Sequence, residues 1–344
     1  METASHSEHV LGSLVEIKLP AARADMFPPC FRQMERIERT FSRFLDDSEL
    51  ARLNSLLGVW QSASDELLSL VEQAEAFRAR TGGHFDIALK SVLDDLGYDK
   101  NYSFKPKPGA SIPAPARAST SPAISLAPSA DFSGLPGLSS PRPLIDRPNG
   151  RILIYEEIEF GGLGKGYALD RVAALLERHG VLRYYINAGG DIYAKQGKAR
   201  AEKTGGWSAR PDLRLAQGRE TGPSGEDLPP WVILLEHPDD PSRSIGKINL
   251  DGRAIAASAP NRRKWGPYHH LINAQTKKPA QGAKAIFVLA NSGIEADAYA
   301  TALFTAGFEE GIALSKNLPV EILFISSQDK MYKSKGFDAE MFCD

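Results

Sequence analysis

Four glycines surround one lysine in the segment EFGGLGKGYALD, residues 159–170. The glycines would let a bulky anion approach the main chain, and Lys165 adds a positive charge that can neutralise it. An apolar, helix-like run follows at once, and the free amides and dipole of a helix N-terminus also favour an anion. The segment therefore indicates a diphosphate site, although a tight turn whose glycines serve only packing is an equal alternative. Its spacing matches neither GxGxxG nor the Walker A pattern.

A second segment, EADAYATAL, places Asp297 and Thr301 four residues apart on a predicted helix and hence on one face. A carboxylate and a hydroxyl are hard oxygen ligands, which suit Mg²⁺ when water and substrate phosphates complete its coordination. In the alternative interpretation, Asp297 complements the helix N-terminus and Thr301 packs in the core. The spacing alone favours this alternative.

Two polar segments come next. In YHHLINAQT, one of His269 and His270 could act as a general base, a phosphate contact or a stacking surface, or both could be structural. INAGGDI, residues 186–192, is more typical of a turn in which Asn187 and Asp191 bond their own backbone than of a ligand site.

Two aromatic segments give weaker signals. TGGHFDIA offers Phe85 and Asp86, and TFSRFLDDSELARLN offers Phe44. Either ring could cover a planar ligand, but a single phenylalanine is usually part of the core. The sequence has no HExxH, GxSxG or Cys-His signature that would indicate other chemistry.

The elements that position these residues follow from periodicity. Residues 10–19 alternate as a strand does, and apolar residues from Phe27 to Phe41 recur at helical spacing. Another helix is predicted from an N-cap at Ser64 to the glycines at 82–83. In the second half, predicted strands are 151–160, 184–189, 231–236, 246–250, 285–290 and 320–326, and predicted helices are 167–180 and 294–307. Short connections between strands imply a largely antiparallel or mixed sheet packed with helices, which is an α+β fold.

Composition limits the class of protein. With 344 residues, 42% of them hydrophobic, the chain can bury a large core. A net charge of -2 argues against a general nucleic-acid binder, and no run is long and apolar enough to predict a transmembrane segment. Two cysteines, Cys30 and Cys343, are too few for a disulfide framework.

Two segments differ in amino-acid composition from the rest of the chain. Residues 105–149 are rich in Pro, Ala and Ser, which predicts a surface insertion, and 195–229 is a smaller polar insertion. Apart from these insertions, the sequence predicts a single domain that spans residues 1–344 and is built from two intimately associated subdomains.

Taken in chain order, these segments resemble the ApbE-type FAD:protein FMN transferases. The resemblance covers almost everything outside the two insertions. The matching blocks are LGS at 11–13, FSRFLDDSELARLN, TGGHFD, EFGGLGKGYALD, INAGGDI, WVILLEHP, AASAPNRR, HHLINAQT and ADAYATAL. Nine blocks in the family's order form a far more specific signal than any one of them.

The resemblance implies an ApbE-like fold with FAD bound between its halves. It implies Mg²⁺ held by Asp297, Thr301 and the backbone oxygen of Gly162, and a reaction centre at His270 with Lys165 holding the diphosphate. The implied FAD pocket comprises Leu11, Gly12, Ser13, Phe44, His84, Phe85, Asp86, Glu159, Gly164, Lys165, His270 and Leu271. Departures from the family pattern are mild: Leu11 for Met, Ser13 for Thr, Glu159 for Asp, and Asn273-Ala274 for Asp-Pro.

The implied reaction transfers FMN from FAD to a Thr or Ser hydroxyl of an acceptor redox protein, and AMP leaves. The implied acceptor carries a Ser/Thr-Gly-Ala-Thr-like segment. An FAD pyrophosphatase and a non-catalytic flavin-binding protein are the alternatives. Family members are usually periplasmic or membrane-anchored, but the sequence shows neither a signal peptide nor a lipobox cysteine, so the compartment stays open between these and the cytoplasm.

Overall fold

A computed structural model describes residues 2–108, 141–197 and 229–342. Its helices are α1 (Phe27–Phe41), α2 (Glu49–Asn54), α3 (Asp65–Arg80), α4 (Lys90–Asp95), α5 (Gly164–Arg178), α6 (Gly293–Ala306) and α7 (Phe308–Ser315). Its strands are β1 (Thr3–Val10), β2 (Ser13–Pro20), β3 (Gln61–Ser62), β4 (Leu144–Asp146), β5 (Arg151–Leu153), β6 (Arg183–Ala188), β7 (Asp191–Gln196), β8 (Trp231–Glu236), β9 (Ser244–Leu250), β10 (Arg253–Ser258), β11 (Lys264–Trp265), β12 (Tyr268–His269), β13 (Ile272–Asn273), β14 (Lys278–Pro279), β15 (Ala283–Ala290), β16 (Glu321–Ser326), β17 (Met331–Lys333) and β18 (Ala339–Met341). Two short 3₁₀ helices span Ala21–Met26 and Arg147–Asn149.

The framework is one eight-stranded sheet in the order β1-β2-β6-β7-β10-β15-β16-β17. Among the described residues, every pairing in this sheet is antiparallel. Smaller sheets, including β18-β9-β8 and β3-β5-β4, flank it. The predicted α+β fold is thereby confirmed.

Helices α5 and α6 matter most for the site. Helix α6 is rich in alanine and buried nearly all round, between α5 and the strands β10 and β15. Helix α1 packs on the outer side of α5 with the apolar stripe that its sequence period predicts. Helix α3 begins where expected, because the Ser64 hydroxyl accepts the Leu67 N–H at 3.2 Å.

Three predicted boundaries were wrong. The strand predicted at 10–19 is β2, which begins only at Ser13, since Leu11 and Gly12 take positive φ values of 57° and 65° and turn the chain between β1 and β2. The strand predicted at 151–160 ends at Leu153. Helix α5 begins at Gly164 and not at Tyr167, so Lys165 lies within its first turn.

The two predicted insertions are only partly described. The end of the proline-rich one is ordered, because Leu144–Asp146 pairs with β5 and Arg147–Asn149 forms a 3₁₀ turn. Residues 109–140 and 198–228 lie outside the described residues. In the part of the chain that the structure describes, no helix is both long and apolar enough to cross a membrane.

Candidate active site

The glycine-rich segment and the helix with Asp297 meet directly. Helices α5 and α6 approach so closely that a Cβ on Gly166 would lie 2.1 Å from the Gly293 carbonyl oxygen. The Gly166 N–H donates to Asp297 Oδ2 at 3.0 Å. Asp170, one turn further along α5, accepts the Gly293 and Ile294 N–H groups at the start of α6. At Gly166 the packing alternative is therefore correct, because this glycine brings two helix backbones together.

Lys165 lies between two buried carboxylates. Its Nζ contacts Asp191 and is 3.6 Å from Asp297 Oδ2. Burial opposes the ammonium charge, but the two carboxylates outweigh it and raise the pKa of Lys165. Burial has the reverse effect on the carboxyl of Asp297 and raises its pKa to about 6, while the charge of Lys165 lowers that pKa. The lysine of the glycine-rich segment and the acid of α6 thus belong to one ion cluster, which we call the Lys165 cluster.

The other two residues predicted to hold a metal lie together. A Cβ on Gly162 would be 3.1 Å from Thr301 Oγ1 and 3.3 Å from the Phe85 ring. Thr301 is one turn after Asp297 on α6, so carboxylate, hydroxyl and main-chain groups converge from two elements. Among the described residues, no group of three or more His, Cys, Asp or Glu side chains could hold a metal. A metal here would depend on hydroxyl, carbonyl and substrate oxygens, a donor set that fits Mg²⁺.

An aromatic cluster lies beside His270. Tyr98 is 6.1 Å from the His270 ring and stacks with Trp265 at 5.9 Å. Tyr102 stacks on Phe44 with the ring centroids 5.0 Å apart and 13° between the planes. Tyr98 is buried, whereas Phe44, Tyr102 and Trp265 are at least partly exposed, and such planar rings can hold a planar ligand or a partner's side chain.

Two arginines lie against the rings of this cluster. Arg43 lies 4.4 Å from the Phe44 ring centroid, and Arg263 lies 5.9 Å from that of Tyr98. Burial and then the Arg263 charge lower the pKa of His270 to about 3. The imidazole is therefore neutral at neutral pH, and its buried Nδ1 has no hydrogen-bond partner among the described residues. It can accept a hydrogen bond from a ligand there, but a pKa this low makes it a weak proton acceptor.

The turn at Leu11–Ser13 joins the two clusters. A Cβ on Gly12 would be 3.9 Å from the Tyr102 hydroxyl, and a Cβ on Gly189 would be 3.1 Å from the Ser13 hydroxyl. Gly189 belongs to the turn just before Asp191, which contacts Lys165. The buried Ser13 Oγ has no partner in the described part of the chain, so it is free to bond a ligand.

The side chains of other predicted pocket residues are paired with, or packed against, other parts of the protein. Asp86 pairs with Arg78 at 3.2 Å, and the His84 ring lies 3.2 Å from Glu310. Leu271 is buried in the core. Phe85, in the middle of the segment 84–86, lies against Gly162. The assignment of these residues to an FAD pocket stays a prediction.

Glu159 lies in the loop before α5, and Gly164 is the first residue of that helix. The buried Glu159 carboxylate accepts the Gly161 N–H at 2.7 Å. Burial raises the pKa of Glu159, and the charge of Arg43 opposes that rise. The Gly164 N–H donates to the Phe160 carbonyl at 2.7 Å. These bonds fix the loop that leads into the first turn of α5.

Sequence reasoning gave no site role to several residues, among them the rings of the aromatic cluster other than Phe44, and Asp191 and Arg263. Asp191 was interpreted as a turn residue, but it is buried and its Oδ1 also accepts the Ala257 N–H at 3.3 Å. The turn itself forms as predicted, since Asn187 accepts the Gly190 N–H. Arg263 lay within AASAPNRR without a role. A signal for Asp191 was its place directly after two glycines, where a strand begins.

Comparison with known proteins identifies the family of this chain. Residues 11–324 match the model of the ApbE family. The FAD:protein FMN transferase of Treponema pallidum is 26% identical over 96% of this chain and 87% of its own length, and that of Salmonella typhimurium is 22% identical over 88% and 77%. Among solved structures, the ApbE protein of Thermotoga maritima has a TM-score of 0.75 at 23% identity and covers 98% of both chains. The flavin transferase ApbE of Vibrio cholerae has a TM-score of 0.69 at 22% identity, again over 98% of both. This chain belongs to the ApbE family.

Proposed function

We propose that this protein is an FAD:protein FMN transferase that moves FMN from FAD onto a Thr or Ser hydroxyl of an acceptor flavoprotein and releases AMP. The observation that carries the proposal is the contact of Lys165 with the α6 carboxylate Asp297. It unites the residue types for holding a diphosphate with those for holding a divalent cation. Family membership and the names of the relatives support flavin transfer.

The reaction exchanges one phosphorus–oxygen bond for another. The acceptor oxygen bonds to the phosphorus on the FMN side, and the bond from that phosphorus to the bridging oxygen breaks. AMP leaves with the bridging oxygen, and the hydroxyl proton goes to a base. Mg²⁺, when bound by Asp297, Thr301 and the Gly162 backbone, would supply positive charge to the diphosphate.

The protein's own residues bind, orient and accept the proton. The N–H groups of Gly164 and Gly166 already donate to Phe160 and Asp297, so the first turn of α5 would contribute its helix dipole and the ammonium of Lys165 to binding the diphosphate. His270, whose Nδ1 is unpartnered, or a nearby carboxylate would accept the proton of the incoming hydroxyl, and the low pKa of His270 favours the carboxylate. The aromatic cluster and the Leu11–Ser13 turn would hold the remainder of the ligand.

Mass spectrometry tests this function directly. The protein is incubated with FAD, Mg²⁺ and an acceptor protein that carries a Ser/Thr-Gly-Ala-Thr-like segment, and the acceptor is weighed. An adduct with the mass of FMN, together with one AMP per adduct, supports transfer. Free FMN without an adduct would replace the proposal by FAD hydrolysis, and unchanged FAD would replace it by binding alone. An acceptor without the hydroxyl is the control.

A further inference from the structure

The two carboxylates of the Lys165 cluster are fixed by main-chain groups of different elements. The Ala257 N–H on β10 donates to Asp191, and the Gly166 N–H on α5 donates to Asp297. Their side chains are only 5% and 6% exposed. Two ionised carboxylates buried side by side require a cation, because each raises the free energy of the other's charged form.

Lys165 supplies that cation in the structure. Its ammonium contacts Asp191 and lies 3.6 Å from Asp297. The ammonium is carried on a flexible four-carbon stem, whereas both carboxylates are tied to the backbone. If another cation were to enter between the carboxylates, the ammonium would be the group able to move.

The charges of the cluster indicate when the Lys165 ammonium would move. Two carboxylates and one ammonium leave a single net negative charge, which disfavours a diphosphate nearby. A divalent cation bound at Asp297 would add two positive charges, which exceed the single net negative charge of the cluster and favour release of the ammonium for the diphosphate. The ammonium would then pair first with the carboxylates and, after the metal binds, with the diphosphate of the ligand.

We infer that Lys165 is an internal counter-ion that occupies the cation position of the metal-free protein, that Asp191 holds it there, and that a divalent cation displaces it towards the diphosphate. The inference rests on the proposed function for its metal site. Asp191 acts here as a positioning residue, through its contact with the ammonium.

Metal affinity tests the competition. Mn²⁺ alone is titrated into the full chain without FAD, and free Mn²⁺ is followed by electron paramagnetic resonance. Lys165→Gln keeps a hydrogen-bond donor but removes the charge, so we expect it to bind Mn²⁺ at least about tenfold more tightly than the unmodified protein, or about 1.4 kcal/mol. The matched control is Lys195→Gln, because Lys195 is also a buried lysine, paired with Glu177 at 2.9 Å. Its Mn²⁺ affinity should equal that of the unmodified protein.

Lysine labelling tests the displacement without relying on a variant. Acetic anhydride followed by peptide mass mapping should leave Lys165 protected in the metal-free protein. Adding Mn²⁺ should raise its labelling several-fold and leave Lys195 unchanged. Asp191→Asn should expose Lys165 to the reagent even without metal, since the residue that holds the ammonium is then lost.

Separate outcomes overturn the inference and the proposed function. Equal or weaker Mn²⁺ binding by Lys165→Gln, or labelling of Lys165 that does not respond to Mn²⁺, overturns the counter-ion role while the metal site stands. If Lys165→Gln does not fold, the labelling result on the unmodified protein decides. Absence of Mn²⁺ binding to the unmodified protein at millimolar concentrations overturns the metal site itself.

Discussion

Gly166→Ala should separate the two helices that build the site. A Cβ at this position would lie 2.1 Å from the Gly293 carbonyl oxygen and 2.8 Å from Asp297 Cβ, whereas real Cβ atoms essentially never approach within 3.0 Å. Helices α5 and α6 must therefore move apart by about 1 Å. Overpacking of this kind costs about 1–3 kcal/mol in the free energy of unfolding. A displacement of that size beside the reacting groups can lower the rate about 100-fold.

Urea unfolding and the rate of FMN adduct formation measure both effects. For stability, the control is Gly164→Ala in the same helical turn, where the nearest atom to a new Cβ is the Phe160 Cβ at an ordinary 3.7 Å. We expect this control to lose no free energy of unfolding, because alanine favours helix over glycine. The reasoning is refuted if Gly166→Ala unfolds at the same urea concentration as the unmodified protein and transfers FMN at a similar rate.

Three further predictions concern single side chains. Asp297→Ala should abolish the FMN adduct in the mass assay by removing a metal ligand, and full adduct formation would contradict that assignment. Burial raises the pKa of Asp170 from 3.8 to about 7, although hydrogen bonds from two α6 amides act to lower it. Between these two pH values the folded protein therefore keeps a proton that the unfolded chain has released. The free energy of unfolding should fall between about pH 4 and pH 7, by at most about 4 kcal/mol, and urea titrations of Asp170→Asn should lack this slope. Burial also raises the pKa of Cys30 to about 12, so peptide mapping should find its thiol unmodified by iodoacetamide until urea unfolds the protein; labelling of the native protein would disprove its inertness.

The sequence predicted most of the regular elements because their residues carry local signals. The apolar positions of α1 recur at helical spacing, and Ser64 caps α3 as expected. It failed at Leu11, where a leucine adopts a left-handed conformation that glycine usually takes. It also placed the start of α5 too late, because the helical conformation of Gly164 and Lys165 is stabilised by packing against α6 and not by local propensity.

The residue types that could hold a diphosphate and a cation, and their order along the chain, were determined by the sequence alone. The assembly of the Lys165 cluster was decided by tertiary structure. Lys165 on α5, Asp191 on β7 and Asp297 on α6 meet only because Gly166 lets two helix backbones touch above the central strands. Spacing along a chain defines the neighbours on one helix or strand, but contacts across more than 100 residues depend on how the elements pack.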